Sequence, residues 1–401
     1  MGKRIKILEI IKLGGVPGYI LLGYYAVMLA ISRSRASMTA VDSSAIISAL
    51  YSLGGGLYSY MYLVRRRERK IFLSRIIRET PLKWFVLYTM VCGLSSLWSV
   101  NLAISAYRTL ECFGILFLML ATIETLFEKT DTNGVLVWGA IYASITVAIK
   151  FFAFFPPLGD ALYSCQMPAT IFFYLALFYA PNWYTKWPLM IIALFCRSTT
   201  GYIGMALGLF SLMLGKTKYK ILGGVIAVIV IITTSFIGFD NLLNKTIFAA
   251  KQGVIENGEF NMSKTSGRDV LWENAINLME EENRQLYGFG FVSGEMFLVR
   301  ELIGNQVIGM HNGYLSAYVG TGLFGLFFFT LFMLTYAIIP FGRFIPSRYK
   351  QILVALMCAV MVHTFANPGL GTRVYATWIP AMFVVVITCA IYIRSKFKIE
   401  R

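Results

Sequence analysis

Hydrophobic and polar positions alternate along this chain in long blocks, and not with the short periods typical of a soluble protein. Apolar runs close to the roughly 20 residues that cross a hydrocarbon core are separated by short polar segments. We count about twelve predicted spans. Their approximate limits are 13–32, 43–64, 84–98, 107–127, 134–155, 168–182, 186–197, 199–215, 220–238, 313–340, 350–367 and 374–393. The pattern predicts an all-α, polytopic membrane protein.

One polar segment, residues 239–312, is much longer than the others. Loops longer than about 15 residues are usually functional or disordered. It divides the chain into helices one to nine (1–238), the loop itself, and helices ten to twelve (313–401). Ser266-Gly-Arg-Asp269 has the form of a capping box, and the apolar residues that follow recur at helical spacing. We therefore predict a helix within the loop, ended by Gly288-Phe-Gly290.

Composition and charge agree with a membrane location. The chain is 57% hydrophobic and 14% charged, whereas a soluble domain carries about 25% charged residues. The net charge of +16 comes from short basic segments between the apolar runs, a pattern typical of cytoplasmic loops and unlike a nucleic-acid surface. The predicted topology places both termini in the cytoplasm and residues 239–312 in the periplasm of a bacterial inner membrane.

The sequence offers no metal or disulfide pattern. Most of the six cysteines lie inside apolar runs, where they are expected to be small buried side chains. The chain has no Asp-x-Asp, no His-Glu-x-x-His and no Walker glycine loop. We therefore expect a protein that needs no metal and no cofactor.

His311 is the first candidate for chemistry. It stands in Met310-His-Asn-Gly-Tyr314, where the long loop meets the tenth span, and a neutral imidazole there could accept a proton from a sugar hydroxyl. The alternative is an interfacial histidine that bonds a loop carbonyl. The only other histidine, His363, lies within the eleventh span, where bonding to a neighbouring helix is the simpler interpretation.

Four arginines are candidate anion ligands. Arg268 lies at the predicted start of the loop helix, whose unpaired amides favour an anion, and Trp272 one turn later either packs or stacks on a sugar. Arg197, Arg373 and Arg108 lie at outer ends of spans, where an arginine generally faces a cavity or a partner, unless it reaches out to the interface.

Taken in order, four segments make the chain resemble the O-antigen ligase and polymerase superfamily. Leu94–Ser99 with Ala106–Arg108 resembles the family's early Trp-Ser segment with its arginine, and Cys196–Gly201 resembles its turn rich in Ser and Arg. Ser266–Trp272 with Gly288–Gly290 resembles its outer-loop arginine motif. His311–Leu315 with Gly320–Gly325 resembles its His-Asn segment with the glycines that follow. The turn departs from the family, because Arg197 precedes Ser198 and Thr199 follows it.

The resemblance implies a GT-C-like, metal-independent, inverting glycosyltransferase whose donor is a glycan on undecaprenyl diphosphate. It implies His311 as the base and Arg268, Arg197, Arg373 and Arg108, in that order, as diphosphate ligands. Trp272, Asn312 and Tyr314 would contact the acceptor or the glycan. Besides membrane lipid, the expected partners are the lipid-linked donor, a glycan or lipid A-core acceptor and a chain-length regulator, with no nucleic acid.

Three functions stay open from the sequence. A polymerase extends one lipid-linked chain with another, and the departure in the turn motif favours it over an O-antigen ligase, which transfers the chain to lipid A-core. A lipid-linked sugar flippase or transporter would instead predict inverted repeats, which the sequence does not show. The identity of the sugar, the acceptor and the oligomeric state are not encoded in any recognisable pattern.

Overall fold

The computed structural model describes residues 11–34, 43–153, 206–207, 268–303, 310–366, 370–372, 374 and 378–400. Within them the chain forms α-helices and two short 3-10 turns, Ser95–Trp98 and Ile339–Phe341, and no β-strand. The helices are α1 (Gly15–Ser34), α2 (Ser43–Arg65), α3 (Arg67–Glu79), α4 (Leu82–Leu94), α5 (Leu102–Lys129), α6 (Thr132–Ala153), α7 (Arg268–Glu281), α8 (Ser293–Ile303), α9 (Gly313–Ile338), α10 (Ser347–Ala366) and α11 (Trp378–Glu400).

Eight of the predicted spans coincide with helices, namely α1, α2, α4, α5, α6, α9, α10 and α11. By length and composition, four stretches of the described chain suffice to cross a membrane: Leu102–Lys129, Thr132–Phe152, Gly313–Phe341 and Trp378–Phe397. The predicted spans 168–182, 186–197, 199–215 and 220–238 lie outside the described residues, apart from residues 206–207. The chain is thus a helical, multi-pass membrane protein, and the total of twelve spans stays a prediction.

Helix α5 lies at the centre of the bundle and packs against α1, α2, α4 and α11. It crosses α2 at two glycines: a Cβ on Gly56 would collide with the backbone of Gly114, and a Cβ on Gly114 with the carbonyl of Ser52. Small residues at such crossings let helix backbones approach closely, which is how helices associate without a hydrophobic driving force in lipid. This packing fixes α5 against α2 near the middle of α5.

Helix α3 was not predicted, because its sequence was interpreted only as a basic loop. It is amphipathic and buries Leu73, Ile76 and Arg69. The Arg69 guanidinium donates from Nε to Glu124 at 3.2 Å and from Nη2 to Glu128 at 2.6 Å, near the end of α5. The carboxylates of Glu124 and Glu128 near the C-terminal end of α5 are therefore paired with a cation within the bundle.

The predicted span 313–340 is not one continuous helix. Gly322 has φ 66 and ψ −163, so α9 is broken there. The rings of Tyr314 and Phe329 pack edge to face with centroids 5.2 Å apart, although 15 residues of uninterrupted helix would separate them by roughly 22 Å. The first part of α9 therefore folds back over the second part.

The long loop contains two helices in its described part. Helix α7 is the helix predicted after Ser266, but it ends at Glu281, where Asn283 adopts a left-handed φ of 55. The prediction that Gly288-Phe-Gly290 ends this helix is therefore wrong. Helix α8 was not predicted, since its eleven residues are too few for a clear helical period.

Candidate functional site

The structure brings the loop helices and the start of α9 together around the turn at His311. Leu271, Ala275 and Met279 of α7 share a small buried core with residues of α8 and α9. Arg268 is the first residue of α7, and its side chain lies outside what the structure describes. Arg197 and Arg373 also lie outside the described residues.

The His311 turn is held in an uncommon backbone conformation. His311 has φ 51, in the left-handed region that few non-glycine residues occupy. Asn312 then caps α9, because its side-chain oxygen accepts the backbone N–H groups of Tyr314 at 2.9 Å and Leu315 at 3.1 Å. Such strained residues persist only where their surroundings fix them, and they cluster at functional sites.

Side chains from both loop helices fix Met310, the residue before His311. The Nε1–H of Trp272 in α7 donates to the Met310 carbonyl at 2.7 Å. The Glu295 carboxylate in α8 accepts the Met310 N–H at 2.6 Å and the Ser316 hydroxyl at 3.0 Å. Both backbone polar groups of Met310 are therefore held by side chains, which orients the turn that follows.

A short segment between α10 and α11, residues 370–372, packs against the same turn. A Cβ on Gly313 would collide with the carbonyl of Leu370, and a Cβ on Gly371 with the carbonyl of Gly313. The Tyr88 hydroxyl in α4 donates to the Gly371 carbonyl at 2.6 Å. Gly371, two positions before Arg373 in the sequence, therefore lies against the first residue of α9.

Residues 285–292 form a strap between two other parts of the bundle. On one side, the Phe289 N–H donates to the Val319 carbonyl and the Gly290 N–H to the Gly320 carbonyl, each at 2.9 Å. On the other side, the Phe291 N–H donates to the Ser95 hydroxyl at 2.9 Å. The strap thereby joins the Trp-Ser segment after α4 to the break in α9.

Glycines make this close packing possible. A Cβ on Gly288 would lie 2.6 Å from the Thr321 nitrogen, and one on Gly322 would collide with the Leu286 carbonyl. Gly290, with φ 103, lies against Ser99. The two glycine motifs noted in the sequence are therefore one structural feature, in which the loop backbone lies against the broken helix.

Arg108 is buried and forms an ion pair. Its Nη1 donates to Glu111 Oε2 at 2.7 Å, and its side chain is 7% exposed. The other oxygen of Glu111 accepts the hydroxyls of Tyr24 at 2.7 Å and of Ser48 and Tyr107 at 3.2 Å each. The carboxylate therefore fixes the position of the guanidinium, which reaches a ligand only through its remaining N–H groups.

The structure also describes the three candidates for contacts with the glycan or the acceptor, Trp272, Asn312 and Tyr314. Trp272 and Tyr314 are half-buried, and the Tyr314 ring packs on Phe329. Asn312 is buried and acts as the helix cap. In the part of the chain that the structure describes, no three His, Cys, Asp or Glu side chains are grouped to hold a metal ion, and the metal-free reaction stays a prediction.

Sequence reasoning missed Glu295. Its place in the first turn of α8 is typical of an acidic residue that interacts with the helix dipole, so the pattern gave no reason to single it out. The signal available was its position directly before the apolar stretch Met296-Phe-Leu-Val299, close after the glycines. Only the fold brings it to Met310 and Ser316.

Comparison with known proteins identifies one domain. Residues 184–330 match the family model described as O-antigen ligase, about a third of the chain. The match includes Arg197, Arg268, Trp272 and the segment 311–314, and excludes Arg108 and Arg373. No curated protein matches the chain. The resemblance to the O-antigen ligase and polymerase superfamily is therefore confirmed by the domain that carries the His311 turn.

Proposed function

We propose that this chain, which carries an O-antigen ligase domain over residues 184–330, is a metal-independent inverting glycosyltransferase acting on glycan linked to undecaprenyl diphosphate at the periplasmic face. The observation that carries the proposal is the His311 turn, which lies within the matched domain and is fixed by Trp272, Glu295 and the Asn312 cap. A base for sugar transfer must be held in one place, and this turn is held from three helices.

In the proposed reaction an acceptor hydroxyl oxygen attacks the anomeric carbon as the bond from that carbon to the diphosphate oxygen breaks. His311 takes the hydroxyl proton as the new glycosidic bond forms, so the hydroxyl need not ionise beforehand. Attack from the face opposite the leaving group inverts the anomeric configuration. Undecaprenyl diphosphate leaves as an anion, which fixed cations must stabilise in the absence of a metal.

Arginines supply those cations in the proposal. Arg268 has the best-supported position, because it begins α7, whose N-terminal amides add a partial positive charge. Arg373 is two positions from Gly371, which lies against Gly313, and Arg197 falls within the matched domain. Arg108 is retained as a fourth ligand that Glu111 holds in place. Guanidinium forks suit phosphate oxygens.

The half-buried Trp272 and Tyr314 rings and Asn312 are proposed to contact the glycan or the acceptor. Trp272 is already oriented by its hydrogen bond to Met310, which leaves its ring face for packing or for a sugar. No metal or cofactor takes part in the proposed reaction, and a chain-length regulator remains a proposed partner.

Two acceptors are compatible with this donor site. We favour a second lipid-linked glycan, which makes the protein a polymerase, because the turn around Arg197 departs from the family pattern. The description of the matched domain favours the second candidate, an O-antigen ligase that uses lipid A-core. A flippase or transporter would move the donor without forming a glycosidic bond.

One assay separates these functions. Purified full-length protein in vesicles is given the native lipid-linked glycan extracted from the source membranes, alone or with lipid A-core. Polymer and free undecaprenyl diphosphate without lipid A-core indicate a polymerase, and products that require lipid A-core indicate a ligase. Translocation of intact donor, with no undecaprenyl diphosphate released under either condition, would reject glycosyl transfer.

A further inference from the structure

A buried carboxylate connects the two sides of the His311 turn. Glu295 is 4% exposed, and one of its oxygens, Oε1, accepts both the Met310 N–H at 2.6 Å and the Ser316 hydroxyl at 3.0 Å. Met310 directly precedes His311, and Ser316 lies in the first turn of α9. A single oxygen atom thus joins the residue before the histidine to the helix after it.

The energetics of this contact favour a specific role. Burying a carboxylate is costly unless it is hydrogen-bonded, and this one accepts two hydrogen bonds. The left-handed φ of His311 also costs energy that the surrounding structure must offset. Glu295 meets both conditions at once, because its bonds satisfy the carboxylate oxygen and hold the strained turn.

Trp272 and Glu295 bind different backbone groups of Met310. The indole holds the carbonyl and the carboxylate holds the N–H, and only the carboxylate also reaches α9. Loss of the indole bond leaves the Met310 N–H bound, whereas loss of Glu295 removes both the bond to that N–H and the side-chain link from α8 to Ser316 of α9. Of these two side chains, Glu295 is therefore the one that links Met310, directly before His311, to α9 by hydrogen bonds.

We propose that Glu295 is a positioning residue for the transfer reaction, which fixes the His311 imidazole through Met310 and Ser316 without itself touching substrate. This inference rests on the proposed function, in which His311 takes the proton of the acceptor. Placing a reacting group about 1 Å out of position can cost on the order of 10²-fold in rate. That loss belongs to the transfer step and not to the binding of the donor, which the arginines hold.

Three variants of Glu295 separate positioning from proton transfer. Glu295→Ala removes both hydrogen bonds and should lower kcat about 10²-fold. Glu295→Gln keeps an oxygen at the same place and should transfer near the wild-type rate, because that oxygen still accepts both bonds. Glu295→Asp is one methylene shorter and should transfer slowly. Glu282→Ala, at an exposed position after α7, is the matched control and should be unchanged.

The experiment measures two quantities on purified full-length protein: the affinity for undecaprenyl diphosphate and the rate of transfer per folded molecule. Positioning predicts unchanged affinity in every variant, with slow transfer in Glu295→Ala and rescue by Glu295→Gln. If Glu295→Ala does not fold, the transfer rates of the other two variants test the positioning role: Glu295→Gln should be close to the wild-type rate and Glu295→Asp should be slow.

Two results would overturn the inference. Wild-type transfer in Glu295→Ala would show that the contact does not matter for the reaction. Inactivity of Glu295→Gln, as severe as that of Glu295→Asp, would show that the carboxylate itself carries charge or a proton. Absence of transfer by the wild-type protein would instead reject the proposed function, so the two failures are distinct.

Discussion

Replacing Gly322 by alanine tests the break that folds the start of α9 over the rest of the helix. Gly322 has φ 66 and ψ −163, a region that essentially only glycine occupies, where strain amounts to about 1–3 kcal/mol. The added Cβ would also collide with the backbone of Leu286 and Tyr287. Overpacking typically costs about 1–3 kcal/mol, so the combined loss of stability is about 2–6 kcal/mol.

The assay is thermal unfolding of the purified protein in detergent, with Gly54→Ala as the matched control. Gly54 lies within α2, and outside its chain neighbours and the nearby backbone of α2 no atom of the described residues would come within 4 Å of an added Cβ there. Alanine is preferred to glycine inside a helix by roughly 0.5–1 kcal/mol, so this control should be neutral or slightly stabilised. Equal unfolding temperatures for the two variants would refute the broken helix and its contact with the strap.

Three further predictions concern the donor site and the topology. Arg268→Ala should abolish transfer while the protein still inserts, and Arg268→Lys should recover little because a point charge lacks the bidentate fork; full activity in the alanine variant would remove Arg268 from the site. Transfer should survive excess chelator, since the sequence has no Asp-x-Asp motif to bind Mg²⁺, and activity that is lost on chelation and restored by added Mg²⁺ would contradict this. A cysteine at Glu256 should react with a membrane-impermeant reagent from the periplasm, and labelling only after the inner membrane is opened would reverse the topology.

The spans were predictable because each depends on a local property of the chain. A run of apolar residues long enough to cross lipid forms a helix whatever its neighbours are, since its backbone must satisfy its own hydrogen bonds. The observed helix limits differ from the predicted ones in places. The span predicted to begin at residue 107 belongs to a helix that begins at Leu102, because Asn101 caps α5 there. Such shifts follow from capping groups, which the apolar pattern does not register.

The break in α9 could not be predicted for the opposite reason. Gly320-Thr-Gly322 lies inside an apolar run and, by composition alone, fits a continuous helix. Its conformation is set by residues 285–287, about 35 positions earlier in the chain, whose backbone lies against it. A contact of that sequence separation leaves no local period to detect.

Some residues of the candidate site were likewise predictable from local sequence, and others were not. His311 stood out because it lies where the long loop meets the tenth span, and Arg268 because it lies at a predicted helix start, whose unpaired amides favour an anion. Glu295 did not, because its partners Met310 and Ser316 are 15 and 21 positions away. Arg108 was visible, but its burial in an ion pair with Glu111 was not, since an i,i+3 pair on an exposed helix has the same sequence.

The measurement that tests the account most directly compares donor binding and glycan transfer in His311→Ala. General-base assistance is typically worth about 10²–10⁴-fold, so transfer should fall by that factor. The affinity for undecaprenyl diphosphate should stay at the wild-type value, because the arginines that hold the diphosphate remain. Transfer at the wild-type rate, or a loss that is fully explained by failure to bind undecaprenyl diphosphate, would contradict the role of His311 as the base.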